Sequence, residues 1–127
     1  MILSRQYQIF AFLILVSINL LSQQQGSNFP GGIITGKVID SSTKHTIEYA
    51  NVVVFSLKDS EMVTGGVTDS SGLFKLSINK PGNFKIEVRF IGYDTEIIKT
   101  SIRPDNLKVD LGEIQIHPTT LLLENVV

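Results

Sequence analysis

The chain has 127 residues, 43% of them hydrophobic, with a formal net charge of −1 and no cysteine. Lysines such as Lys37, Lys58, Lys75, Lys85 and Lys99 are scattered among acids, so the basic stripe that a phosphate backbone requires is missing and nucleic acid is not an expected partner. Without disulfides, the length suits one small domain with a modest core.

Residues 1–22 read as an export signal. Arg5 precedes the apolar run IFAFLILVSI at 9–18, and cleavage is expected after Ser22. The run is shorter than the roughly 17–25 apolar residues that span a bilayer, so any membrane association should be indirect. No cysteine follows it, which excludes a lipoprotein anchor. The expected location is therefore outside the cytoplasm. Residues 23–32 (QQQGSNFPGG) are polar and then turn-rich, a flexible lead-in.

From Ile33 the apolar period is two. Ile34, Gly36 and Val38 alternate with Thr35, Lys37 and Ile39. Residues 50–55 (ANVVVF) form a β-branched run fit for a buried strand, and 66–68 a short extended piece. Phe74, Leu76 and Ile78 alternate with Lys75 and Ser77. Phe84, Ile86, Val88 and Phe90 alternate with Lys85, Glu87 and Arg89, which places Glu87 outward as a solvated partner of Lys85 or Arg89. Residues 95–102 and 108–116 supply two more strands, and the parity of the second slips at Gly112 and Glu113, where a bulge is expected. Turn signals at 40–43, 58–61, 69–72, 79–83, 92–94 and 103–106 punctuate the strands. The reading is all-β: a seven-stranded Greek-key β-sandwich over 33–117, packed on Val38, Val52, Val54, Phe74, Leu76, Ile86, Val88 and Phe90. Burial of each such side chain contributes roughly 1.5–3 kcal/mol. Residues 118–127 (PTTLLLENVV) are an apolar linker or tail, in which Leu121, Leu122, Leu123, Val126 and Val127 are candidate partner-docking residues.

Little in the chain points to catalysis. His45 and His117 lie 72 residues apart, with no metal-ligand spacing between them. No serine lies in a GxSxG elbow, and no glycine run has the form of a phosphate loop. No catalytic residue, cofactor or zinc ligand set is expected. The stretch TDSSGLFKL at 68–76 is the one candidate for a cation. Its alternate positions Asp69, Ser71 and Leu73 hold a single carboxylate, so Asp69 is a weak calcium ligand and a better turn former. Asp69, Gly72, Pro81, Gly82, Gly92 and Tyr93 are the expected structural turn residues. Tyr49 and Tyr93 are the aromatic residues that could meet a glycan.

Taken together, five pieces resemble the carboxypeptidase regulatory-like domain, a transthyretin-like (prealbumin-like) sandwich related to starch-binding-like folds. They are Gly36-Lys-Val-Ile-Asp40, Ala50-Asn-Val-Val-Val54, Thr68-Asp-Ser-Ser-Gly-Leu-Phe74, Pro81-Gly-Asn-Phe84 and Ile91-Gly-Tyr93. In the carboxypeptidases this module is the non-catalytic companion of a zinc peptidase, so the resemblance implies no enzymatic activity. Directly after a signal peptide, it implies the periplasmic N-terminal module of a TonB-dependent outer-membrane transporter. LLLENVV at 121–127 resembles the segment that leads toward a plug. The expected function is a non-enzymatic exported accessory module, from a truncated or partial receptor, whose partner is a protein or an outer-membrane plug and barrel. The alternative is a carbohydrate-binding module.

Overall fold

Period-two alternation becomes seven strands and, among the described residues, no helix. The computed structural model describes Gly26 and residues 28–120. The strands are β1 (Gly32–Asp40), β2 (Asn51–Ser56), β3 (Met62–Val67), β4 (Leu73–Ile78), β5 (Gly82–Arg89), β6 (Glu96–Ile102) and β7 (Lys108–Ile116). They form a three-stranded sheet of order β4-β1-β7 and a four-stranded sheet of order β3-β2-β5-β6. This is the seven-stranded sandwich that the alternation predicts. Only β2–β3 and β5–β6 join sequence neighbours within a sheet; every other connection crosses between sheets. β1 therefore lies in the middle of the smaller sheet, antiparallel to β4 and parallel to β7.

The inner faces meet over Ile34, Val38, Val52, Val54, Phe74, Leu76, Ile86 and Val88, with Phe84, Ile78, Ile102, Ile114 and Ile116 completing the core. Phe90 departs from expectation. β5 ends at Arg89, and the half-buried Phe90 ring lies on the margin of the core, tilted 51° against Tyr93 at 5.7 Å. β3 also departs, starting at Met62 rather than Gly66. Gly65 and Gly66 have no side chain to mark the period, which hid the strand. Ile39 belongs by parity to the outer face yet is buried, because the backbone of Thr46 bridges to it and the loop after β1 folds back over that face. The bulge is where the parity slip put it: Thr35 pairs with Asp110 and Lys37 with Glu113, so β7 carries an extra residue.

Glu87 is the clearest correction. It points to the outer face, as alternation requires, but it is only 7% exposed. Lys85 Nζ lies 2.8 Å from one carboxylate oxygen and Arg89 bonds the other. It thus engages both cations, not one, and their side chains screen it from water.

Gly36 is small for a spatial reason. A Cβ there would sit 2.7 Å from both Cε1 and Cζ of Phe74. Gly36→Ala should destabilise the domain by about 1–3 kcal/mol through overpacking, read as the urea midpoint. Gly36→Ala combined with Phe74→Leu should recover part of the loss; an unchanged midpoint in the single variant would mean that the Phe74 ring is free to move aside.

Candidate functional site

The residues of three quoted motifs, far apart in sequence, converge at one end of the sandwich. Asp40 closes β1 there. Its Oδ1 accepts from the backbone N–H of Ser42 (2.7 Å) and of Thr43 (2.9 Å), and its Oδ2 accepts from the Tyr93 hydroxyl at 2.5 Å. The first two bonds shape the turn after β1; the third reaches the β5–β6 connection of the other sheet. Together they lower the Asp40 pKa from 3.8 to about 2, with the Tyr93 hydrogen bond the largest cause. The same bond raises the Tyr93 pKa, so the phenol keeps its proton.

Thr68 follows β3 and is fully buried. Its hydroxyl donates to the Ile47 carbonyl (2.6 Å) and accepts from the Ala50 N–H (2.9 Å). One side chain thus fixes the entry to β2. Next to it, Asp69 Oδ1 accepts from the N–H groups of Ser71 (2.9 Å) and Leu73 (3.0 Å). Both bonds lie within the β3–β4 turn, so this oxygen serves the turn. Gly72 has φ +73°, and a Cβ there would come 2.6 Å from the Val38 carbonyl oxygen. Its own carbonyl accepts from the Val38 N–H at 2.8 Å. Only glycine meets both demands.

Gly92 and Tyr93 close the corner. The Gly92 carbonyl accepts from Thr119 N–H and the His117 carbonyl from Asp94 N–H, each at 2.8 Å. Tyr93 also bridges Pro118. The chain after β7 is therefore tied to the β5–β6 connection through Thr119. Leu121, Leu122, Leu123, Val126 and Val127, and the expected signal at 1–22, lie outside the described residues.

Four of the six expected turn residues (Asp69, Gly72, Gly92, Tyr93) thus gather at one end, and Pro81 and Gly82 lie at the other. There the 80–84 segment and residues 56–59 line a cleft of about 540 Å³. The two tyrosines have unlike settings. Tyr93 engages Phe90 and Asp40, whereas Tyr49 is 67% exposed with φ +62°. His45 and His117 are exposed and take part in the corner through their backbone carbonyls, which accept from Asp40 and Asp94. Among the described residues no group of three His, Cys, Asp or Glu side chains could hold a metal. Sequence reasoning passed over Asp40 and Thr68 as site residues, although both stand in the motifs quoted above.

Chemically, the corner is a set of satisfied polar groups. Asp40 is ionised far below neutral pH, whereas a general base works best with a pKa near the operating pH.

A family model described as CarboxypepD_reg-like domain matches residues 34–127. No curated protein matches the sequence. Among solved structures, the chain is similar to BcpA, the major pilin subunit of Bacillus cereus, at 21% identity and TM-score 0.57, over 70% of this chain and 30% of that one. It is similar to the group B streptococcus pilus 2b backbone protein at 21% identity and TM-score 0.53, over 70% and 42%. It is also similar to 3-chlorocatechol 1,2-dioxygenase from Rhodococcus opacus 1CP at 10% identity and TM-score 0.50, over 70% and 60%. The chain spans less than half the length of either pilin. At these identities the likeness is one of fold, and a fold shared by pilins and an enzyme assigns no activity.

Two outcomes test the corner. The folded Asp40 pKa lies below its ordinary value, so its contribution to stability is present above about pH 4 and lost as the pH falls through about 2. Tyr93→Phe removes the largest cause of that shift. Its deficit in Tm against the wild type should be full at pH 7 and shrink between pH 4 and pH 2; an equal deficit at both ends would mean that the phenol acts by packing alone. Gly72→Val should cost about 1 kcal/mol or more through φ strain, while millimolar calcium should leave the wild-type Tm unchanged. A clear calcium-induced rise would make Asp69 a ligand.

Proposed function

The chain belongs to the CarboxypepD_reg-like domain family, and from that premise we propose that it is a non-enzymatic exported accessory module that docks or spaces a protein partner. It resembles the periplasmic N-terminal domain of a TonB-dependent outer-membrane transporter. The observation that carries this reading is the occupancy of the polar side chains. Asp40, Thr68 and Asp69 each engage backbone groups or side chains of their own fold, so the motif-bearing corner presents a finished scaffold. The apolar run at 9–18 behind Arg5 supports export to the periplasm or the periplasmic face of the outer membrane.

A carbohydrate-binding reading rests on the exposed ring of Tyr49, since the Tyr93 ring is engaged with Phe90. Sugar platforms draw on several convergent aromatic and polar groups.

Expression in a Gram-negative host with osmotic-shock fractionation tests the first reading. The protein should appear in the periplasm or with the outer membrane, shortened at its N-terminus. An intact protein confined to the cytosol would refute export. Calorimetric titration with malto-oligosaccharides at millimolar concentration separates the alternative: no heat is expected, and saturable heat abolished by Tyr49→Ala would establish glycan binding instead.

A further inference from the structure

The four-stranded sheet turns one face to the core. Its other face, among the described residues, is covered by nothing. The register orders that face by strand. The charge lies on β5, as Lys85, Glu87 and Arg89. Apolar groups flank it, with one further cation: Val53 and Phe55 on β2 oppose Glu87 and Lys85, Met62 on β3 opposes Phe55, and on β6 Ile97 opposes Glu87 while Lys99 opposes Lys85. Met62 is 63% and Ile97 53% exposed, a large share for such side chains on one side of a small domain.

Glu87 gives the face its form. Because it pairs with both Lys85 and Arg89, it holds the head groups of two long cations over the sheet, while the Arg89 side chain stays 59% exposed. Lys85 Nζ is also 4.9 Å from the centroid of the Phe55 ring. Ordering such side chains is a main cost of association, and here the fold has already met part of it. Gly65 leaves a dip between the strands, and Met62 Cε lies 3.2 Å from the place of a Cβ there. The most exposed apolar group is thus also the most adaptable one.

The charge selects among occupants. Lys85, Arg89 and Lys99 on this face outnumber Glu87, in a chain whose formal net charge is −1. Two copies packed face to face would bring like charges together. A bilayer is entered by an apolar tip with cations at its rim, whereas here Lys85, Glu87 and Arg89, an anion among them, cross the middle of the face. We infer that the outer face of the β3-β2-β5-β6 sheet docks a protein partner whose surface combines apolar side chains with carboxylates. The apolar groups seat on Val53, Phe55, Met62 and Ile97, and the carboxylates meet Lys99 and Arg89.

This surface rests on the docking function proposed above, but it fails separately. A cytosolic protein would end the export reading without changing what the purified sheet binds. The test is a titration of the 15N-labelled protein, followed by amide shifts, with two synthetic peptides of equal length, one alternating leucine with glutamate and one leucine with lysine. The acidic peptide should shift amides of β2, β5 and β6, and the basic one should not. Ile97→Glu and Lys99→Glu, both at exposed positions and expected to melt like the wild type, should each weaken the acidic peptide about tenfold or more. No shift at millimolar peptide, equal shifts with both peptides, or shifts confined to other surfaces would overturn the inference. So would preferential binding to phosphatidylglycerol vesicles, which would make the face a membrane surface, or a concentration-dependent dimer disrupted by Ile97→Glu.

Discussion

The hydrogen bond from Tyr93 to Asp40 joins the two sheets at one end, and the rest of that end is built around it. Packing between β-sheets is apolar and weakly directional, so it leaves their relative setting loosely determined. A carboxylate that takes two backbone N–H groups of its own turn and a phenol from the opposite sheet adds direction. With Asp40 fixed, the loop after β1 folds back over Ile39, and the Ile47 N–H reaches the Val38 carbonyl. Thr68 then fastens the same loop from the far side. The corner is one connected network, although its members come from four separate parts of the chain.

Much of this fold was legible because alternation survives in the sequence. Phe84, Ile86 and Val88 announce β5 without ambiguity, and the parity slip near Gly112 locates the β7 bulge. What stayed hidden has a common cause: period reports which face a residue takes, not what covers it. Glu87 was assigned the right face and the wrong environment, since its burial depends on Lys85 and Arg89 lying down across it. Ile39 was misread because a loop covers it. β3 was shortened because glycines carry no pattern. At the corner, the residues of the motifs were visible as separate strings. That Asp40 meets Tyr93 is a long-range fact that spacing does not encode.

The same network explains why a recognisable sequence signature here says little about activity. Gly36 makes room for Phe74, Gly72 for the Val38 carbonyl, and Asp40 and Thr68 hold turns. These are requirements of the sandwich itself. The sandwich makes no such demand of the outer sheet face with its clamped Glu87.

The parallel pairing of β1 with β7 has a mechanical consequence. Among the described residues the first and last strands lie side by side and run the same way. Tension applied at the start of β1 and the end of β7 therefore acts along these strands, in shear, and their ladder bonds must yield together instead of opening one at a time like a zipper.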